Sequence, residues 1–203
     1  DVTPDYGGKP ADCPPPNPRL AAWWRELNRV GDDFDGFDLS LETTHHGPWI
    51  ETPSMFIEIG STSATWGHEK AAELLAGIIY RGLGLDGSDG LGEWNGEGQV
   101  VVTLGGGHYA PRANMLGMHE HVWIGHMLAT YALPFEKDES GKISGMWENS
   151  IRKAIEATKK GFPGGEVVCS MDKKAFKGWQ RQAIRDLLEE LEIPLLKSAQ
   201  IIG

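Results

Sequence analysis

One short run of the chain, Gln99-Val-Val-Val-Thr-Leu104, constrains the fold more than any other. Its β-branched residues are continuous and do not alternate with polar ones, which is typical of a strand covered on both faces. Three glycines and a histidine, Gly105 to His108, follow directly. Because such a strand needs a layer on each side, the run predicts an interior strand of a layered sheet that ends in a glycine-rich turn.

Hydrophobic periodicity predicts the elements around this strand. Strands alternate with helices along the chain, so the predicted fold class is α/β. The predicted helices are residues 19–30, 67–81, 121–131, 150–160 and 177–191, and the other predicted strands are residues 37–43, 55–59, 167–171 and 193–196.

The charge and composition of the chain narrow the classes of partner. The net charge is −10, which argues against a broad surface that coats nucleic acid, so DNA is not an expected partner. No apolar run approaches the roughly 20 residues that cross a bilayer, so no membrane partner is expected. The two cysteines, Cys13 and Cys169, are far apart and fit a reducing compartment, which points to the cytoplasm, with the nucleus as a second location.

The basic residues are concentrated in one part of the chain. Residues 150–185 carry nine basic and three acidic residues, a local charge of +6 in an acidic protein. A localised basic face suits a polyanion held at one place. A solvated helix face explains the same pattern, and both interpretations stay open at this stage.

Three polar segments come at the predicted strand ends: residues 43–48, 56–61 and 105–109. The carboxyl ends of parallel strands form the usual ligand crevice of an α/β sheet, so the three segments are expected to meet there. Glu58 lies in an apolar strand pattern, where a carboxylate is costly unless it is paired or bound to a metal. His45, His46, Glu58 and His108 form a mixed nitrogen and oxygen set that suits zinc, while a metal-free histidine base is the alternative.

Gly105, Gly106 and Gly107 allow a second kind of chemistry. Successive backbone N–H groups in a glycine turn can hold a phosphate or the oxyanion of acyl transfer. A tight turn without a ligand is the alternative interpretation of the same residues.

Four blocks of the sequence form a distinctive series: Glu42–Pro48, Pro53–Ser61, Gly105–Arg112 and the shorter Gly125-His126. In this order they resemble the signature blocks of the D-aminoacyl-tRNA deacylases of the archaeal and plant type. Two further segments, residues 162–165 and 174–180, look specifically like the plant branch. The likeness covers residues 37–203 and is looser before them.

This resemblance implies a three-layer α/β/α sandwich similar to the peptidyl-tRNA hydrolase and phosphorylase-like group. It implies that residues 37–203 form the deacylase catalytic domain. Residues 1–36, which are rich in proline and glycine at their start and then show helical spacing, are expected to form an N-terminal arm and helix. The implied reaction is hydrolysis of the ester of D-aminoacyl-tRNA, including aldehyde-modified forms, as translation quality control, with Zn²⁺ as cofactor. Family members carry a further N-terminal stretch, so the chain, which begins at Asp1, is expected to be a fragment.

The polar segments at the strand ends and the family resemblance together define the expected site. Gly105, Gly106 and Gly107 are expected to position the ester or its oxyanion, and Glu42 and His126 to support the reacting groups. Two alternative functions stay open: hydrolysis of peptidyl-tRNA or of another ester, and a structural role as an inactive homologue. The oligomeric state is also open between monomer and dimer. Catalysis and zinc binding are assigned to His45, His46, Glu58 and His108, and contact with tRNA phosphates to Lys173, Lys174, Lys177, Arg181 and Arg185.

Overall fold

A computed structural model of the chain describes residues 7–9, 12–31, 36–43, 49–60 and 62–203. These ranges contain both helices and strands, as the α/β prediction requires. The helices are α1 (Leu20–Gly31), α2 (Ser63–Trp66), α3 (Glu69–Gly82), α4 (Pro111–Gly117), α5 (Trp147–Gly161), α6 (Gly178–Glu190) and α7 (Ser198–Ile202), and the strands are β1 (Gln99–Leu104), β2 (Val122–Leu128), β3 (Glu136–Lys137), β4 (Ile143–Ser144) and β5 (Glu166–Met171).

The main sheet of the described residues is parallel and has the order β2-β1-β5. The chain passes from β1 to β2 through α4, and from β2 to β5 through a longer crossover that contains α5. Parallel neighbours need such crossovers because each strand must return to the same starting edge. All three strands therefore end at one edge of the sheet, and β3 pairs with β4 as a separate antiparallel hairpin.

The sheet is covered on both faces, as its apolar central strand predicts. Val100, Val102 and Leu104 face a core that includes residues of α5 and α6. Val101 faces a second core that includes residues of α1, α4 and α7. The prediction of a three-layer α/β/α fold is confirmed, and the buried strand β1 is its centre.

The predicted helix at residues 121–131 is wrong, because residues 122–128 form strand β2. This segment pairs with β1 and lies between two helical layers, so it needs no polar face and no helical period. Gly125 suits the close approach of α5, since a Cβ atom there would lie 2.6 Å from Thr158 Cγ2.

Three predicted strands do not pair continuously with a neighbouring strand in the described residues. Residues 37–43 are extended, but their backbone N–H groups bond elsewhere: Leu41 N–H donates to Asn114 Oδ1 at 2.8 Å. Residues 55–59 form no strand, and residues 193–196 make one isolated bridge, between Leu195 and Cys169. A β-pattern becomes a strand only where a neighbour pairs with it, and for these segments the described residues supply little pairing.

The remaining predicted elements are present. The helices at residues 19–30, 67–81, 150–160 and 177–191 correspond to α1, α3, α5 and α6, and the strand at residues 167–171 corresponds to β5. In the part of the chain that the structure describes, no helix is both long and apolar enough to cross a membrane.

Candidate active site

The carboxyl edge of the sheet brings three loops together. Residues 105–108 follow β1, residues 129–131 follow β2, and residues 172–176 follow β5. The loop after β1 leads into α4 on one face, whereas the loop after β5 leads into α6 on the other. Ligand crevices of α/β sheets form where the connections diverge in this way.

Two glycines give the loop after β1 its shape. Gly105 and Gly106 have φ angles of 87° and 92°, which side chains other than hydrogen rarely allow. A Cβ atom on Gly105 would lie 2.6 Å from Phe176 Cε2 and 2.9 Å from Ala175 Cβ. Gly105 is therefore required for contact between the loops that follow β1 and β5.

The N–H groups of these two glycines are used inside the protein. Gly105 N–H donates to the Leu128 carbonyl oxygen at 2.8 Å, and Gly106 N–H donates to Thr130 Oγ1 at 3.1 Å. The Gly106 carbonyl oxygen in turn accepts from Thr130 N–H at 3.0 Å. These bonds make both glycines loop-shaping residues, and their expected role in positioning the ester or its oxyanion stays a prediction. Gly107 differs, since it is exposed and its N–H has no acceptor among the described residues.

His108 is the centre of a hydrogen-bonded network at this edge. Its Nε2 lies 2.5 Å from Glu42 Oε1, and its Nδ1 lies 3.1 Å from Tyr131 Oη. Tyr131 Oη also lies 3.1 Å from Thr43 Oγ1. The backbone fixes the same arrangement, because Thr43 N–H donates to the His108 carbonyl oxygen at 2.9 Å.

Hydrogen-bonding capacity assigns the protons of this network. A carboxylate only accepts, so His108 Nε2–H donates to Glu42. In the tautomer with the proton on Nε2, Nδ1 is the acceptor, and the Tyr131 hydroxyl donates a hydrogen bond to it. Tyr131 Oη accepts in its turn from Thr43 Oγ1–H. Tyr131 is 50% exposed as a residue, whereas Thr43 is buried, so the network extends from the protein interior to its surface.

The expected zinc ligands are not brought together by the residues that the structure describes. His45 and His46 lie outside those residues. Glu58 is exposed and lies in a segment without regular secondary structure, so the premise that it is a buried strand carboxylate is wrong. His108 uses both ring nitrogens in hydrogen bonds, and the described residues contain no group of three or more histidine, cysteine or acidic side chains able to hold a metal. A catalytic zinc normally takes three protein ligands, so the described donors do not fit one.

His126 is placed with the N-terminal arm. Its Nε2 lies 2.9 Å from the Pro14 carbonyl oxygen and 3.0 Å from Cys13 Sγ. Burial lowers the pKa of His126 to about 4 and raises the pKa of the Cys13 thiol to about 12. Both groups are therefore neutral near pH 7. These contacts give His126 a role in holding the arm, while its expected support of the reacting groups stays a prediction.

The predicted tRNA-binding residues cluster beside the glycine loop. Lys173 and Lys174 are exposed on a short 3₁₀ turn directly after β5, and exposed Lys177 caps the start of α6. Arg181 donates to the Phe176 carbonyl oxygen at 2.7 Å, so it also holds this loop in place. Arg185 is exposed one turn further along α6. The cluster adjoins the crevice because the loop that carries it packs against Gly105.

Sequence reasoning missed two residues of this edge, Thr130 and Tyr131. Both were predicted to lie at the end of a helix, and only residues that follow a strand are expected at the carboxyl edge of the sheet. A prediction of residues 122–128 as a strand would have placed residues 129–131 at the same edge as His108.

Comparison with known proteins agrees with the blocks in the sequence. A family model described as D-aminoacyl-tRNA deacylase matches residues 1–196. A D-aminoacyl-tRNA deacylase of Arabidopsis thaliana is 41% identical over 204 residues, which cover 94% of this chain and 64% of that protein. A D-aminoacyl-tRNA deacylase of Pyrococcus abyssi is 32% identical over 197 residues, which cover 95% of this chain and 62% of that protein.

A solved structure is also similar. It is described as a conserved protein of unknown function, and it matches with a TM-score of 0.74 and 28% identity. The match covers 99% of this chain and 64% of that one. The chain therefore spans a little under two thirds of the length of these relatives.

Proposed function

Because the chain belongs to the D-aminoacyl-tRNA deacylase family, we propose that it hydrolyses the ester bond of D-aminoacyl-tRNA at the carboxyl edge of its sheet. The products are the free D-amino acid and tRNA. The observation that carries this proposal is the network of Glu42, His108 and Tyr131, which lies beside the glycine loop. It joins a proton-accepting imidazole to a carboxylate at the place where α/β folds bind ligands.

The proposed chemistry needs two contributions from the protein. A water must lose a proton as it attacks the ester carbonyl, and the negative charge that develops on the carbonyl oxygen must be stabilised. His108 accepts the proton, and the Glu42 carboxylate stabilises the imidazolium that forms. Gly107 is exposed, and its N–H is the donor that we assign to the oxyanion.

The substrate is tested most simply by a panel of esters. The chain is incubated with D-aminoacyl-tRNA, L-aminoacyl-tRNA and peptidyl-tRNA that carry the same tRNA, and release of the amino acid or peptide is followed. We expect rapid release from the D-aminoacyl ester alone. Preferential release from peptidyl-tRNA would assign the site to that other substrate, and no release from any of them would support a structural role.

We further propose that Lys173, Lys174 and Lys177 bind tRNA phosphates. Their exposure and their position beside Gly105 support this assignment, and Arg185 extends the same face along α6. Phosphate contacts release counterions, so tRNA affinity should fall steeply as salt increases.

Charge reversal tests this assignment. The variant Lys173→Glu/Lys174→Glu/Lys177→Glu should bind tRNA more weakly and show a shallower salt dependence than the unmodified chain. Lys70→Glu, on exposed α3, is the matched control. Equal affinity of the triple variant and the control would remove this face from the binding site.

A zinc requirement stays a prediction that the resemblance supports. Its expected ligands are His45, His46, Glu58 and His108, of which His45 and His46 lie outside the described residues. The proposed chemistry of His108 takes no step through a metal. Elemental analysis of the purified chain tests the requirement directly, together with deacylation measured before a chelator is added, after it is added, and after zinc is added back.

We propose that the activity is located in the cytoplasm, where aminoacyl-tRNA is made and used.

A further inference from the structure

We propose that Tyr131 is a catalytic residue whose hydroxyl contacts the attacking water, with His108 and Glu42 behind it. This inference rests on the proposed function. It assigns the first contact with water to the phenol oxygen and not to an imidazole nitrogen. Three observations support it: the occupancy of the imidazole, the exposure of the phenol, and the hydrogen-bonding capacity of its oxygen.

The imidazole of His108 presents no unoccupied nitrogen to the crevice. Nε2 is 2.5 Å from Glu42 Oε1, and Nδ1 is 3.1 Å from Tyr131 Oη. A water that reached either nitrogen directly would have to displace one of these partners. The Glu42 bond is short and charge-assisted, so it is costly to lose.

Tyr131, in contrast, is exposed and lines a cavity together with Glu42 and Thr43. The residue lies in a single 3₁₀ turn, Thr130–Ala132, directly after β2, and half of its surface is exposed. The neighbouring Thr130 is fixed to Gly106 by hydrogen bonds of both its backbone and its hydroxyl. The turn is thus attached to the glycine loop, whose Gly107 N–H we assign to the oxyanion.

Hydrogen-bonding capacity leaves one position on Tyr131 Oη for water. The oxygen donates its only proton to His108 Nδ1 and accepts one from Thr43 Oγ1. A phenol oxygen can accept a further hydrogen bond, and a water in the crevice supplies the donor. Thr43 is a positioning residue in this arrangement, because it is buried and acts through Tyr131.

The proton steps balance along this chain of atoms. As the water oxygen bonds to the ester carbonyl carbon, a water proton passes to Tyr131 Oη, and the Tyr131 proton passes to His108 Nδ1. The imidazolium is stabilised by Glu42. When the tetrahedral intermediate breaks its bond to the ribose oxygen, that oxygen takes a proton from Tyr131, and His108 returns one to Tyr131. The arrangement follows the general logic of a reacting hydroxyl, a base and an orienting carboxylate.

The test compares Tyr131→Phe with Tyr80→Phe, a matched control at an exposed tyrosine of α3. Single-turnover hydrolysis of D-aminoacyl-tRNA and tRNA affinity are measured for both, and circular dichroism confirms that both are folded. Tyr131→Phe should lower the rate of hydrolysis about 100-fold or more, as expected when an acid–base group is lost, without changing tRNA affinity. Tyr80→Phe should leave both unchanged.

A double-mutant cycle is completed by Thr43→Val and the double variant Thr43→Val/Tyr131→Phe. Thr43→Val should slow hydrolysis less than Tyr131→Phe does, and the double variant should be no slower than Tyr131→Phe alone, because Thr43 acts through the phenol. A rate for Tyr131→Phe within threefold of the unmodified chain, or full additivity, would overturn the inference. Failure of the unmodified chain to hydrolyse the ester would instead overturn the proposed function.

Discussion

His108 Nε2 lies 2.5 Å from Glu42 Oε1, across 66 residues of sequence. The two side chains come from different segments, one extended before α2 and the other a loop after β1. The backbone bond from Thr43 N–H to the His108 carbonyl oxygen holds those segments in register. Because Glu42 holds Nε2, the other ring nitrogen, Nδ1, is the one directed towards Tyr131.

Replacing the carboxylate tests this contact. Glu42→Gln keeps the shape of the side chain but removes the charge that stabilises an imidazolium, so hydrolysis should slow about 100-fold. Glu73→Gln, at an exposed position of α3, should leave the rate unchanged. Single-turnover deacylation provides the measurement. If Glu42→Gln hydrolyses as fast as Glu73→Gln, the carboxylate has no role in the chemistry.

The glycine loop supports a matched pair of stability measurements. Gly105→Ala forces a Cβ atom against Phe176 at a φ angle of 87°, and backbone strain alone should reduce the free energy of unfolding by roughly 1–3 kcal/mol. Gly107→Ala has open space around its Cβ atom and should change that free energy by less than about 0.5 kcal/mol. Chemical denaturation of both variants checks this. Equal stability would mean that the loops after β1 and β5 are not packed as described.

The contact between His126 and the arm predicts a dependence of stability on pH. Burial lowers the pKa of His126 to about 4, from an unfolded value of about 6.5. Between these values the unfolded chain binds a proton that the folded chain does not, so stability falls as the pH decreases from about 6.5 to about 4. His126→Gln cannot titrate, so its free energy of unfolding should decrease less over this window. Parallel pH profiles from denaturation test the difference, and identical profiles would contradict it.

The central strand and the flanking helices were predictable because local pattern and tertiary position agree there. β1 is apolar on both faces and is buried on both faces, and α5 presents a regular apolar stripe to it. β2 was not predictable from its period, since a strand between two layers and a buried helix are equally apolar. Pairing with β1 decides its structure, and pairing is not a local property of the sequence.

The candidate site shows the same limit. His108 was predictable from the glycine block that precedes it, and the basic cluster from its charge. The role of Glu58 was inferred from burial, but the residue is exposed because residues 55–59 form no strand. Tyr131 carried no motif, so its role depends on β2 ending beside β1. Residues joined by tertiary contact alone therefore had to be found in the structure.

We propose that the chain hydrolyses the D-aminoacyl ester with the hydrogen-bonded network centred on His108. The most direct measurement is the single-turnover rate of amino acid release from one D-aminoacyl-tRNA by the unmodified chain and by His108→Ala, each at saturating protein. We predict rapid release by the unmodified chain and a rate for His108→Ala at least 100-fold lower, with tRNA affinity retained. Release by His108→Ala at the rate of the unmodified chain would contradict the account.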